Sequence, residues 1–289
     1  MNLLDEIKES FREGSALTRL IYINLGIFLL IRLVNVFYFL AGAPFPFLDW
    51  LALPSDFGML ASRPWTLLTY MFLHFDFLHI LFNLLWLYWM GQIFLGYFNQ
   101  EKLIALYLLG GIAGGLFYVA GYNSFPVFSE LVADSRLLGA SASVIAIVTA
   151  LAMYAPNHTI HLMFIGPVKM KFLALFSVLI YVIGISSTNA GGNLAHLGGA
   201  FWGVIYSLQL RRGIDPGKGI ERLMSALKKM FAPKPKVKIT YRKPTDDLEY
   251  NRRKKQDKNR MNEILEKISK SGYDSLSKEE KEILFRMGK

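Results

Sequence analysis

Residues 139–154 read GASASVIAIVTALAMY: a small-residue opening, Gly139-Ala140-Ser141-Ala142-Ser143, followed by an apolar run that stops at Ala155-Pro156. As a helix rising about 1.5 Å per residue, these 16 residues cover roughly 24 Å, short of the roughly 30 Å of hydrocarbon in a bilayer. A span that short begins about 6 Å inside one boundary, with Ser141 in its first turn. A hydroxyl at that depth needs a wet indentation, because a bare polar group in lipid costs several kcal/mol. Ala142, Ala146 and Ala150 form a small-xxx-small row beside Ser141, the pattern that lets helix backbones approach closely in membranes.

A second stretch answers the first. Ala195-His196-Leu197-Gly198-Gly199 opens the last apolar segment, where Gly199, Gly203 and Ser207 form another small row on the face that carries His196. Facing rows would bring the Ser141 hydroxyl and the His196 imidazole within hydrogen-bond reach, the arrangement of a nucleophile and its base.

The remainder of the chain fits a membrane setting. Its 289 residues are 53% apolar with a mean hydropathy of +0.32, too hydrophobic for an ordinary soluble domain. Six apolar segments, near 17–41, 73–97, 102–122, 139–155, 170–188 and 193–212, predict an all-α, six-span bundle. Lys8, Arg12 and Arg19 precede the first, Lys169 and Lys171 separate the fourth from the fifth, and Arg211 and Arg212 close the sixth. By the positive-inside rule that side is cytoplasmic and holds both termini. A cleavable signal peptide is not expected, since Met1 to Thr18 is polar and charged. Without cysteine there is no disulfide, thiolate metal site or Cys nucleophile.

With this topology the second, fourth and sixth spans all run inward, so His74, His79, Asn83, Ser141 and His196 share the outer layer. His79 and Asn83, at i and i+4, occupy one helix face. With the unpaired amides at the start of the fourth span they can donate to an oxyanion. No Asp or Glu accompanies His196 there, so a Ser–His dyad is expected and no buried-carboxylate triad. Neither metal nor cofactor is called for: there is no His-Glu-x-x-His motif, and His158 and His161 fall in an inner loop. Gly110, Gly111, Gly114 and Gly115 read as packing glycines of the third span. Arg32, within the first span, has no evident partner in the sequence.

Residues 41–69, rich in Pro, Phe and Trp, read as an outer loop lying partly in the headgroup layer. The domains expected are a cytoplasmic segment 1–16, the bundle 17–212, a basic linker 213–245 and a small helical hairpin 246–289. From Gly213 onward there are 21 Lys and Arg against 12 Asp and Glu. The net charge of +10 thus belongs to a tail suited to anionic lipid, not to a nucleic-acid-binding body. In that tail Met261, Ile264, Leu265 and Ile268 recur at helical spacing, Gly272 breaks the pattern, and Ser277-Lys278-Glu279-Glu280 has the form of a capping box. A plain soluble tail without catalytic residues is the alternative.

Four blocks together resemble the rhomboid intramembrane serine proteases: Trp65 with Thr69-Tyr70-Met71-Phe72-Leu73-His74, then His79-Ile80-Leu81-Phe82-Asn83, then Gly139-Ala140-Ser141, then Ala195 to Gly203. The likeness covers about residues 17–212. It implies Ser141 as nucleophile, His196 as general base, and His79, Asn83 and the Ser141 amide as oxyanion hole. It implies His74 as a structural, water-organising residue, with Gly139, Gly199 and Gly203 in support. It further implies a membrane-embedded outer loop, a mobile fifth span that gates substrate, membrane-protein substrates cut near the outer face, and a bacterial inner-membrane location. The chain departs from the common pattern at Ala142, where Gly is frequent, and at Ile145, where an aromatic often stacks on the histidine. It also departs at Thr66, where Arg often follows the loop Trp, and at Leu95, where relatives place Glu. Two other classes compete: a binding scaffold like the family's inactive members, and a metal-dependent hydrolase or transporter using His74, His79 and His196.

Overall fold

The computed structural model describes residues 2–162, 165–231 and 247–287. The centre of the expected basic linker, Pro233 to Pro244, lies outside them. The chain forms two units, Met1–Phe231 and Ala232–Lys289.

The first unit is built around one short helix. Among the described residues thirteen α-helices follow one another: α1 (Leu3–Glu13), α2 (Ala16–Leu40), α3 (Phe47–Leu51), α4 (Phe57–Ser62), α5 (Thr66–Thr69), α6 (Phe77–Leu95), α7 (Gln100–Ser124), α8 (Ser141–Tyr154), α9 (Met170–Gly184), α10 (Ala190–Arg211), α11 (Lys218–Phe231), α12 (Asp247–Ser271) and α13 (Lys278–Met287). All eleven residues of α8 from Ala142 to Ala152 are buried, which explains why its sequence is apolar around its whole circumference. The helices packed around it are α6, α7, α9 and α10. Each of the six expected apolar segments contains a helix. Of these α2, α6 and α7 are long and apolar enough to cross a membrane, while α8 and α9 are shorter apolar helices. Leu30, Leu33 and Phe37 on α2, and Phe176 and Ile183 on α9, are exposed in the outward direction that lipid would fill.

Small residues set the helix spacing. A Cβ on Gly199 would strike the carbonyl oxygen of Ala142, and one on Gly203 would strike that of Ala146. The two small rows therefore face each other. The methyl of Ala142 is accommodated from a third side, because a Cβ on Gly114 of α7 would stand 2.5 Å from it.

The structure refines the sequence reading in three places. The fold is mostly helical as expected, with two short ladders added: β1 (Leu53–Pro54) pairs antiparallel with β2 (Arg136–Leu137), and β3 (Thr159–Leu162) with β4 (Gly166–Lys169). The β1–β2 pair ties the segment between α2 and α6 to the one that leads into Ser141. Second, α6 starts at Phe77, with Asp76 at its N-cap position, so His74 precedes the helix and follows a 3-10 turn at Tyr70–Phe72. Third, residues 213–231 do not begin a linker but contain α11. Its apolar Ile220, Leu223, Met224 and Leu227 recur three and four apart, so an amphipathic helix forms despite the basic composition. An ion pair of 2.5 Å from Lys102 to Asp215 fastens its approach to α7.

In the segment between α2 and α6 Trp65 stacks on Trp50 with ring centroids 6.0 Å apart, and its indole N–H donates to the Trp50 carbonyl at 2.8 Å. Arg63 also lies over the Trp50 ring, its Cζ 4.7 Å from the centroid. Thr66, where relatives often carry Arg, is buried and donates to the Arg63 carbonyl at 2.7 Å. Arg32 of α2 finds the ring of Phe75, 5.1 Å from its centroid.

In the second unit Gly272, at φ +77°, ends α12, and a 3-10 turn leads to α13. Ile264 and Leu276 are buried between the helices, whereas Leu265 is exposed. The capping box forms: the Ser277 amide donates to Glu280 Oε2 at 2.7 Å and the Glu280 amide to Ser277 Oγ at 3.2 Å.

Candidate active site

Ser141 is the first residue of α8 and His196 lies in the second turn of α10; Ser141 Oγ and His196 Nε2 are 2.6 Å apart. The contact follows from the facing small rows: Gly199, one turn below His196, lets α10 touch the α8 backbone at Ala142, next to the serine. His196 Nδ1 is buried and has no hydrogen-bond partner among the described residues. No third group therefore completes a triad. Asp76, at the N-cap position of α6, accordingly makes no bond to it.

The turn before Ser141 is held from two sides. The Gly139 amide donates to the Tyr70 carbonyl at 3.0 Å, and the Ala140 amide donates to His74 Nε2 at 3.3 Å. His74, 1% exposed, thus braces the entry to α8 and stands 5.1 Å from His79, ring centroid to centroid. Gly139 adopts φ +119°, where an L side chain is strained. The position its Cβ would take lies 2.9 Å from His79 Nε2 and 3.8 Å from Ser141 Oγ. Glycine keeps open a small volume flanked by both, beside the N-terminal amides of α8, which have no intrahelical acceptors. Asn83, also buried, donates one amide hydrogen to the His79 carbonyl at 2.8 Å and retains a second.

Two cavities meet at Ser141. The larger, about 500 Å³, is walled by His79, Gly139, His196, Arg136, Tyr118 and Asn189 and is rich in polar groups. The smaller, about 230 Å³, lies between α6, α8 and α9 and is bounded by Phe82, Asn83, Trp86, Val148, Ser177 and Tyr181.

All five candidate polar residues thus fall around one spot, with His74 behind the turn and the other four bordering the cavities. Two contributors were missed by sequence reasoning. Tyr70 sits inside a quoted block, and its carbonyl holds Gly139 while its hydroxyl bonds the Gly111 carbonyl at 2.5 Å. Tyr181 of α9 packs its ring on His196 with centroids 4.3 Å apart. The vacancy signalled by Ile145 was the only clue to it. Among the described residues, no group of three or more His, Cys, Asp or Glu side chains is arranged to hold a metal ion.

The model of the rhomboid domain matches residues 61–213, and a family of unknown function, DUF6576, matches residues 245–289. The chain is 33% identical over 162 residues to RHOMBOID-like protein 12, mitochondrial, of Arabidopsis thaliana, covering 53% of this chain and 48% of that protein. It is 37% identical over 82 residues to Rhomboid protease GlpG of Salmonella newport and of Salmonella heidelberg, covering 28% of this chain and 29% of those proteins. The chain thus spans about half the length of the plant relative and under a third of the bacterial ones. The domain match takes in every residue that borders Ser141, from His74 to Gly203, and more than half of the sequence, so the chain belongs to the rhomboid family of integral, multi-pass membrane proteins.

Proposed function

We propose that this chain is an intramembrane serine endopeptidase that uses a Ser141–His196 dyad to hydrolyse peptide bonds in or near transmembrane segments, close to the outer face of the membrane. The observation that carries the reading is the 2.6 Å contact of Ser141 Oγ with His196 Nε2 at the junction of the two cavities.

In this reading the substrate chain enters through the apolar cavity between α6 and α9 and unwinds across Ser141. Oγ attacks the scissile carbonyl carbon while its proton passes to His196 Nε2. The carbonyl oxygen becomes an oxyanion in the volume beside Gly139, where the Ser141 amide, His79 and Asn83 donate to it; each such donor is worth about 10²–10³ in rate. Collapse breaks the C–N bond, and His196 returns its proton to the leaving amine. Water from the polar cavity, deprotonated by His196, then hydrolyses the acyl-serine and restores the hydroxyl. Without a third group, the base is oriented by packing.

The six apolar helices and the placement of Lys and Arg support a six-span bundle with both termini in the cytoplasm. In that topology α11 follows the last span at the inner surface. Its Lys218, Arg222, Lys228 and Lys229, with the basic linker, suit contact with anionic lipid headgroups. A bacterial inner membrane is the proposed location.

The test is cleavage of a reporter bearing a transmembrane segment in cells that express the chain. Ser141→Ala and His196→Ala should each abolish cleavage at unchanged expression and thermal stability. Retained cleavage in Ser141→Ala rejects the proposal.

A further inference from the structure

The base has a partner on a different helix. His196 Nδ1 lacks a hydrogen-bond acceptor among the described residues, so the ring's orientation rests on its contact to Ser141 and on side-chain packing. Ile145, one turn after Ser141, offers no flat surface, and its Cγ2 lies against Gly199. The ring that covers His196 is Tyr181 of α9, at 4.3 Å between centroids and 51° between planes. The Tyr181 hydroxyl makes no hydrogen bond within the protein among the described residues, so the aromatic face is what this side chain supplies.

The helix that brings Tyr181 is buried in the protein mainly at its start. The buried residues of α9 are Met170, Leu173 and Ala174, all near its start. Around Tyr181 the flanking Leu179, Ile180, Val182 and Ile183 are 47–74% exposed. A further tie at this end is the Asn193 side chain, which donates to the Gly184 carbonyl at 2.7 Å. Any outward tilt of this end of α9 lifts the Tyr181 ring from the imidazole and widens the smaller cavity, which Tyr181 also borders.

We infer that Tyr181 is a positioning residue for His196, and that through it the tilt of α9 governs the alignment of the general base. The inference rests on the dyad proposed above. A helix that admits substrate would in this way also release the base, and closure over the bound chain would align it. Where such a ring pairing favours the aligned base, its loss lowers the rate by roughly three- to tenfold.

The test uses the full-length protein in detergent micelles, comparing wild type, Tyr181→Phe, Tyr181→Leu, Tyr181→Ala and Ser141→Ala. Two readouts are taken: the rate of Ser141 labelling by a small fluorophosphonate, and kcat and KM for a transmembrane reporter. Thermal unfolding checks the fold. Tyr181→Phe should label at the wild-type rate. Tyr181→Leu and Tyr181→Ala should label roughly three- to tenfold more slowly, with kcat lowered to a similar degree. If Tyr181→Ala fails to fold, Tyr181→Leu, which keeps apolar bulk without a flat ring, decides. Equal labelling in all Tyr181 variants, or faster reporter cleavage with unchanged labelling, overturns the inference and makes Tyr181 merely an obstruction at the entrance. A wild-type protein that labels no faster than Ser141→Ala overturns the dyad itself, and this inference with it.

Discussion

The carbonyl oxygen of Ala142 occupies the place that a Cβ on Gly199 would need. This contact fixes α10 against α8 one turn from His196 and one residue from Ser141, so helix packing and dyad geometry are a single feature. Gly199→Ala forces the two backbones apart. Overpacking of this kind costs about 1–3 kcal/mol, and here the obstacle is backbone, which cannot rotate away. The expected result is a lower unfolding temperature together with loss of cleavage. Gly26→Ala is the control: nothing lies within 4 Å of its Cβ position, and both readouts should stay at wild-type values.

Gly139→Ala separates the site from the fold. Its φ of +119° adds strain of about 1–3 kcal/mol for an L residue. The new methyl also enters the volume between His79 and Ser141, 2.8 Å from His79 Cε1. An oxyanion placed there would lose both its space and the His79 donor. Steady-state kinetics on a reporter should show kcat/KM reduced by about 10² or more, with fluorophosphonate labelling of Ser141 slowed in parallel. Unimpaired kcat/KM would remove His79 and the Gly139 volume from the oxyanion role.

The central helices were legible because membrane burial writes a strong signal: α8 is apolar on every side, and Ala142, Ala146, Gly199 and Gly203 declare a close helix contact before any coordinates. Ser141 and His196 stood out as polar residues at matching positions in such helices. What stayed hidden depends on contacts distant in sequence. The β1–β2 pair is two residues per strand, too short for an alternating pattern. His74 fell inside an apolar run that continued into α6, so nothing but the Asp76 cap marked the break. Tyr181 is one of three aromatics on α9, with Phe172 and Phe176, and only the packing of α9 on α10 singles it out. Residues 218–231 looked like linker because basic composition masked an amphipathic period.

In the tail, Lys267 donates to both Glu280 oxygens at 2.9 Å while Glu280 closes the capping box of α13. The hydrogen bond from Lys267, followed by that from the Ser277 amide, holds the Glu280 carboxyl below the ordinary carboxylate range. A depressed folded-state value contributes stability that is fully present above the unfolded value of about 4.3 and is lost as pH falls through the folded one. Hydrogen-exchange protection of Lys278–Met287 should therefore be constant near neutrality and decline under acid. In Glu280→Gln protection should be lower already at pH 7 and insensitive to acid over that range. Equal protection in both proteins at neutral pH would show that the ion pair does not hold α13.

The two cavities that meet at Ser141 differ in lining, and under the proposed function that difference gives them different traffic. The smaller is enclosed by Phe82, Trp86, Val148 and Tyr181, side chains suited to an apolar segment arriving from lipid, whereas the larger carries Arg136, Asn189 and His79. Ser177 faces the smaller cavity from α9, and its hydroxyl is occupied by its own helix, donating to the Leu173 carbonyl at 2.9 Å. Ser177→Phe removes a hydrogen bond only within α9 and adds bulk to about 230 Å³ of space. A transmembrane reporter should then show KM raised about tenfold or more, since a lost apolar docking of a single side chain is worth about 1.5–3 kcal/mol. A small fluorophosphonate, which reaches Ser141 through the polar cavity, should label at the wild-type rate. Parallel loss of both would mean that one shared path serves water and substrate alike, and that the lining difference carries no functional division.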